Sequence, residues 1–243
     1  MKIIKKTILL IIIIILTGCT NRHNKLVLVT EASFAPYEYY SNGKIVGVDI
    51  AIGEDIAKYL GKELKVKDVS FDSIISEIKS GKSDIGAAGI SYTEERAKQI
   101  NFTINYAESK QVIIVKQNSK IKEPKDLKNI KVAVQLGSVA DSYLEENYPK
   151  VKIIREKKFL AAIQDLKDNK VEAVVMDELP AKKYLTNDLK ILEKEVTTDY
   201  YGMVINKNNK ELLEAANKVI NKLKQEGKID EYIIYHMERS QDK

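Results

Sequence analysis

Four stretches of the 243-residue chain combine residue types that could grip a small charged molecule. The first is Ser91-Tyr92-Thr93-Glu94-Glu95-Arg96. It follows Gly86-Ala87-Ala88-Gly89, four residues with almost no side chain, where another group can approach the backbone closely. Thr93 is a good N-cap, which places Arg96 in the first turn of a helix, where a cation opposes the macrodipole. Beside the backbone N–H groups of a helix start, a guanidinium makes a receptor for a carboxylate. Pairing with Glu95 or another neighbouring acid at the surface is the alternative.

The second stretch, Gln135-Leu136-Gly137-Ser138-Val139, ends a strand and enters a helix with Ser138 as N-cap, so Gly137 and Ser138 add backbone donors suited to an anion. In the third, Met176-Asp177-Glu178, an acid stands at the carboxyl end of a strand, where it could take an ammonium, cap the following helix, or do both. The fourth runs from Thr30 to Tyr40 and gathers Phe34, Tyr37, Tyr39 and Tyr40 around Glu31 and Glu38. Such a cluster can sandwich the flat or aliphatic part of a ligand while an acid reads its tip. Plain loop packing is the alternative, and for Tyr39 and Tyr40 it is the favoured one. Phe71 is a candidate second wall or a core residue.

These stretches need strands and helices to carry them, and the chain supplies both. Lys25–Thr30 reads as a buried strand. Ile50–Leu60, closed by Gly61, and Phe71–Ser80, closed by Gly81, read as helices. The spacing then predicts a strand over Asp84–Ile90, a helix over Thr93–Gln99, strands at Val112–Val115 and Ile130–Leu136, and a helix ending near Tyr148. Beyond these come a helix at Phe159–Lys167, a strand at Val171–Met176, a helix at Leu179–Leu185 and a strand at Tyr201–Asn206. Two C-terminal helices, Leu212–Gln225 and Ile229–His236, complete the chain. Strands separated by helix-length segments imply α/β architecture with parallel pairing. One junction, Ser80-Gly81-Lys82-Ser83-Asp84, is echoed by Asp168-Asn169-Lys170-Val171-Glu172. Duplicated lobes and the ordinary residue preferences of helix–turn–strand junctions both account for it. In open sheets ligands sit beyond the carboxyl ends of the strands, where the four stretches fall.

With 44% hydrophobic and 31% charged residues, the composition excludes disordered, collagen-like and low-complexity chains. There are 40 Lys+Arg against 35 Asp+Glu, and setting aside Lys2, Lys5 and Lys6 leaves 37 against 35. That near balance argues against a nucleic-acid partner. Those three lysines precede the apolar run Ile8–Leu16, too short for the roughly twenty residues of a membrane span and suited to a signal peptide. Leu16-Thr17-Gly18-Cys19 closes the run and resembles the bacterial lipobox. The expectation is a signal peptide over 1–18, lipidation of Cys19, a tether over 19–25 containing His23, and a mature protein anchored outside the cytoplasmic membrane. Cys19 is the single cysteine, so neither an internal disulfide nor a cysteine-rich metal site is expected, and no cofactor.

Taken together and in order, Phe34-Ala-Pro-Tyr-Glu38, Gly47-Val-Asp49-Ile, Phe71-Asp-Ser-Ile-Ile75, Gly89-Ile-Ser-Tyr-Thr-Glu-Glu-Arg-Ala97, Val132-Ala-Val-Gln-Leu-Gly-Ser138 and Tyr201-Gly202-Met-Val resemble the amino-acid-binding proteins of ABC importers, the polar amino-acid branch of the extracellular solute-binding proteins. The resemblance spans essentially the whole mature chain. It implies a two-lobed, periplasmic-binding-protein-like type II fold, each lobe a mostly parallel sheet flanked by helices. Lobe 1 would comprise 26–107 plus 202–243 and lobe 2 108–201, with crossings near 105–109 and 197–201.

Position by position, the resemblance implies that Arg96 and Ser91 hold an α-carboxylate with help from Gln135, Ser138 and Val139. Asp177 and the backbone carbonyl near Ala88 or Gly89 would hold the α-ammonium. Phe34 and Phe71 would flank the side chain and Glu31 would face its end, suggesting a cationic amino acid (lysine, arginine, ornithine or histidine), with a glutamine amide as the alternative. Val139 stands where relatives often carry a small or hydroxylated residue, Ala88 and Gly89 where some cationic-ligand binders carry serine, and the last helix lacks a Trp-Phe-Gly ending. The implied partners are a free amino acid, a membrane permease and the lipid on Cys19, with the protein a monomer. An enzyme on the same scaffold, such as a dehydratase using Glu31 or Asp177 as acid or base, is the rival from another class, and a sensor lipoprotein a third.

Overall fold

The computed structural model describes residues 24–240. The expected signal peptide, Cys19 and most of the expected tether, His23 included, lie outside the described residues. Asn24 and Lys25, expected in the tether, belong to the fold: Lys25 opens strand β1 (Lys25–Thr30), and the carbonyl of Asn24 accepts a hydrogen bond from the Glu63 N–H at 2.9 Å.

Strand β1 is buried because it is central, with parallel neighbours on both sides. Near it come the short antiparallel strands β2 (Ser33–Phe34), β3 (Glu38–Ser41) and β4 (Lys44–Val46), which hold the aromatic loop as a three-stranded flap. Helix α1 (Val48–Tyr59) starts at Gly47, where φ is +141° and a Cβ would stand 2.0 Å from the Tyr37 carbonyl oxygen, so only glycine fits. The chain continues through β5 (Glu63–Asp68) and a 3₁₀ turn (Phe71–Ser73) that leads into α2 (Ile74–Lys79). Next are β6 (Ile85–Gly86), α3 (Glu94–Gln99) and β7 (Asn101–Phe102).

The second sheet follows, with β8 (Ala107–Lys116), β9 (Lys131–Gln135), α4 (Val139–Asn147), β10 (Lys152–Glu156), α5 (Phe159–Lys167), β11 (Ala173–Asp177), α6 (Glu178–Tyr184), β12 (Leu189–Ile191) and β13 (Thr197–Tyr201). The chain then returns to the first sheet as β14 (Val204–Ile205) and ends in α7 (Lys210–Gln225) and α8 (Lys228–Arg239). Helix α7 buries Leu212, Ala216, Val219, Ile220 and Leu223, one stripe at helical spacing.

The strand order is β5-β1-β6-β14-β7 in the first sheet and β10-β9-β11-β8-β12 in the second. The two orders match: three parallel strands, then an antiparallel strand that arrives from the other half, then an outer strand paired antiparallel to it. Parallel pairing therefore accounts for two of the four pairings in the first sheet and two of the five in the second, where β13 also pairs with β8. The echoed junctions coincide in detail. Gly81 and Asn169 both take positive φ, and the Asp84 carboxylate accepts the Val27 N–H at 2.8 Å as the Glu172 carboxylate accepts the Lys131 N–H at 2.8 Å. In each lobe, an acid entering the third parallel strand pins the strand beside it.

Strands β8 and β13 are the crossings, and they pair with each other from Ala107↔Tyr201 to Gln111↔Thr197. The hinge is thus a two-stranded antiparallel ribbon. The strand expected over Tyr201–Asn206 is split, because β13 belongs to the second sheet and β14 to the first. The strand expected over Asp84–Ile90 stops at Gly86, because Gly89 turns the backbone at φ +52°.

Candidate functional site

Of the residues singled out in the sequence, Glu31, Phe34, Ser91, Arg96, Gln135 and Asp177 lie at the seam between the lobes. Thr93 caps α3 as expected, its Oγ1 accepting the Arg96 N–H at 3.1 Å, and Arg96 is buried at 9% exposure. Its guanidinium does not pair with Glu95. Nη1 donates to the Ser91 carbonyl at 2.7 Å and Nη2 crosses the seam to the Gly137 carbonyl at 2.8 Å, while its Cζ lies 5.7 Å from the centroid of the Phe71 ring. Burial pulls its pKa down, opposed by Asp199 and Asp177. A guanidinium carries five donors, so these two bonds fix its plane and leave the rest of the fork for a carboxylate.

Two expected anion contacts are engaged within the protein. The Ser91 hydroxyl donates to Asp199 Oδ2 at 2.5 Å. At the 135–139 turn, Gly137 N–H donates to Asp141 Oδ2 at 3.1 Å and Ser138 N–H to the Gln135 carbonyl at 3.1 Å, and the Ser138 hydroxyl accepts the Asp141 N–H at 3.2 Å to cap α4. The donors that remain at this helix start are those of Val139 and Ala140, whose N–H groups precede the first intrahelical acceptor.

Asp177 makes no side-chain cap on α6. Its Oδ1 accepts Ser109 Oγ and Gln111 Nε2, each at 2.7 Å, and the Tyr201 hydroxyl. Burial raises its pKa, and those three donors oppose the rise. Beside it stands Asp199 of β13, which accepts Gln111 Nε2 at 3.3 Å and whose Oδ1 has no partner. Burial, and then the neighbouring Asp177 charge, push the Asp199 carboxyl up to about 7.

The sequence reading missed Asp199 and Gln111. Their signal was alternation: Thr197, Asp199 and Tyr201 share one face of β13, and a polar residue buried on an alternating face calls for a partner.

The small residues before Arg96 do admit a close neighbour. A Cβ on Gly89 would meet the Phe34 ring at 2.7 Å and the Tyr201 ring at 3.3 Å, and the Gly89 N–H donates to Asp49 Oδ2 at 3.0 Å. Asp49 is buried beneath the site, and burial lifts its carboxyl to about 6. Ala88 is buried beside Gly89. Phe34 stacks on Phe159 of the opposite lobe, with centroids 5.6 Å apart and planes at 25°, whereas Phe71 lies against Arg96. Of the two expected walls, Phe34 thus stacks across the seam on Phe159 and Phe71 packs on Arg96. Tyr39 packs on α8, its hydroxyl 3.1 Å from His236 Nδ1, and Tyr40 is exposed.

Glu31 is 1% exposed. Ser33 Oγ lies 2.8 and 2.7 Å from its two oxygens, Lys158 Nζ approaches Oε1 at 3.4 Å, and Gln135 Nε2 approaches Oε2 at 3.4 Å. Burial raises the Glu31 pKa while Ser33 and Lys158 oppose it. The Tyr184 hydroxyl adds another bond across the seam, to the Ser33 carbonyl at 3.1 Å. A separate groove of about 540 Å³ between α1 and α8, lined by Glu54, Tyr232, Tyr235 and His236 among others, includes none of these charged groups.

Two lobes are thus joined by a ribbon, with a guanidinium and several carboxylates brought together where they meet. The chain belongs to the bacterial extracellular solute-binding proteins, family 3, whose model matches residues 26–237. It is 28% identical over 220 residues to the arginine-binding extracellular protein ArtP of Bacillus subtilis, covering 88% of this chain and 86% of that protein. The amino acid ABC transporter substrate-binding protein AbpA of Streptococcus pneumoniae, solved bound to L-arginine, is 33% identical with a TM-score of 0.87, over 93% of this chain and 100% of that one. An ancestral arginine-binding protein, solved with arginine and with glutamine, is 39% identical with a TM-score of 0.81, over 86% and 96%. These relatives are binding proteins rather than enzymes, and the chain is an amino-acid-binding component of an ABC transporter. Among the described residues no helix is long and apolar enough to cross a membrane.

Proposed function

We propose that the chain captures a free cationic amino acid, of the arginine, lysine, ornithine or histidine class, by closing its lobes, and presents it to an importer from a lipid anchor at Cys19. Arg96 holds the α-carboxylate, together with the N–H groups at the start of α4. Asp177 and Asp199 hold the α-ammonium, with a backbone carbonyl at Ala88 or Gly89, and Glu31 faces the tip of the side chain. The observation that carries the charge preference is the balance at the seam. Glu31, Asp177 and Asp199 are buried there opposite the buried Arg96 and the half-exposed Lys158. When all three acids are ionised, one negative charge is left over. A zwitterion brings none to offset it, whereas a cationic side chain does, and a buried uncompensated charge is costly. Relatives bound to arginine support the same choice, and the glutamine complex of the ancestral protein keeps an amide ligand as the second reading.

A thermal-shift screen against the twenty amino acids and ornithine tests this, since a ligand selective for the native state raises its stability. Cationic amino acids are expected to give the largest shifts. Replacing Glu31 by Gln should then weaken the best cationic ligand by roughly tenfold or more while changing glutamine affinity by less, as a charge-assisted hydrogen bond becomes a neutral one. Equal losses for both ligands would remove Glu31 from the reading of the side chain. Cys19→Ala should release the protein from the membrane fraction.

A further inference from the structure

We propose that Lys158 is a specificity-determining residue, a resident cation placed by lobe 2 on the Glu31 carboxylate, where it competes with a positively charged ligand tip and favours a neutral one. The inference rests on the seam being the amino-acid site. It comes from a mismatch of burial across one contact: the Glu31 side chain is 2% exposed, and the Lys158 side chain paired with it is 51% exposed. A buried carboxylate is met by a lysine reaching in from solvent, and that lysine belongs to the other lobe.

Lys158 is not a loosely placed surface residue. It occupies the N-cap position of α5, its carbonyl accepts the Ala161 N–H at 3.0 Å, and the next residue, Phe159, is the one stacked on Phe34. The ammonium therefore arrives at Glu31 as the aromatic stack forms, in the same closing movement. The other groups around the carboxylate reinforce the geometry. Ser33 Oγ contacts both oxygens, and Gln135 Nε2, from the end of β9, is shared between Glu31 and the Lys157 carbonyl at 3.2 Å. Asp68, the neighbouring acid, is exposed and already accepts the Ala32 N–H at 2.9 Å and the Tyr40 hydroxyl at 3.2 Å.

A ligand side chain ending at Glu31 thus meets a carboxylate and an ammonium together. A guanidinium or ammonium tip gains the first and is repelled by the second. A carboxamide tip can turn its NH₂ to Glu31 and its carbonyl to Lys158, and be satisfied by both. The discrimination the site achieves is the difference between these two affinities, and Lys158 supplies the repulsive element.

The test is calorimetric titration of arginine and glutamine into the wild type, Lys158→Met, which keeps the aliphatic stem, and Lys158→Glu. The ratio of glutamine Kd to arginine Kd is expected to rise by roughly fivefold in Lys158→Met, the scale of a half-exposed charge pair, and further in Lys158→Glu. The difference should shrink as salt is raised. Equal weakening of both ligands would overturn the proposal and leave Lys158 as a fastener between the lobes, and an unchanged ratio would overturn it as well. A wild type that binds only neutral amino acids would refute the cationic preference argued above and leave Lys158 to be judged by whether Lys158→Glu gains arginine. Failure to gain it would sink this proposal too.

Discussion

At the scale of single residues, Arg96 is the group proposed to recognise the amino-acid backbone, and its environment makes that role separable from folding. The helix cap beneath it uses the Arg96 main-chain N–H, which any substitution except proline retains. Only the planar fork satisfies the Ser91 and Gly137 carbonyls while presenting further donors to an anion. Arg96→Lys keeps the charge and loses the fork. It is expected to weaken amino-acid binding by about 1.5–3 kcal/mol, or some ten- to a hundredfold by calorimetry, with the unfolding midpoint of the protein free of amino acid nearly unchanged. Binding at wild-type strength would mean that the carboxylate is held elsewhere. Much of this residue scale was legible in the chain: the Thr93 cap fixed where Arg96 had to stand, and Asp177 at a strand end was recognisable as more than a cap. Lys158 and Phe159 were not, because their meaning comes from Glu31 and Phe34, more than a hundred positions away, and appears only when the lobes meet.

At the scale of elements, the hinge ribbon supplies groups to the proposed ammonium site as well as a connection. Gln111 of β8 and Asp199 of β13 face the same space as Asp177 at the end of β11, so the crossings bring two acids together. The raised Asp199 carboxyl has a definite sign. Between its ordinary 3.8 and about 7, the folded chain holds a proton that the unfolded chain has released, so this group makes stability fall as pH rises through that range and level off above it. An ammonium bound beside it favours the ionised form. Amino-acid affinity should therefore climb as pH rises towards 7 and flatten beyond, with proton release detectable at pH 6 by titration in buffers of different ionisation enthalpy. The slope approaches roughly tenfold per pH unit only where ionisation is fully coupled to binding. Asp199→Asn should flatten the profile, and if the slope persists it belongs to another group, with Asp49 beneath Gly89 the next to replace. Periodicity located α5 and the cap of α3 closely, because amphipathic spacing and capping are local. It could not locate β13, whose pairing is dictated by β8 some ninety residues earlier, nor end β6 at Gly86, ahead of Gly89, where the Asp49 contact and a positive φ turn the chain. The echoed junctions did carry the duplicated architecture, since the acid that pins the neighbouring strand is local in each.

At the scale of the whole molecule, closure in the proposed clamp is an equilibrium that protein contacts and ligand share. One apolar cluster runs through both lobes, taking in Leu28, Phe34 and Tyr37 on one side and Phe159, Ala162 and Met176 on the other. The Phe34–Phe159 stack sits where that cluster crosses the seam, flanked by the Arg96–Gly137, Glu31–Lys158 and Tyr184–Ser33 contacts. Each of these exists only when the lobes are together, so each biases the closed state before any differential affinity of the ligand is added. Phe159 is 1% exposed, and truncating it removes apolar burial and an aromatic pair from the closed state. If the closed state loses about 2 kcal/mol, amino-acid affinity falls by roughly thirtyfold, because the competent fraction shrinks by that factor once the open state dominates. Phe159→Ala should also enlarge the radius of gyration of the protein without amino acid, as seen by small-angle scattering, and saturating ligand should restore the compact value. Affinity lost with no change in that radius would make Phe159 a wall against the ligand's side chain rather than a contact that draws the lobes together. An enlarged radius that ligand cannot restore would mean that α5 itself depends on the ring.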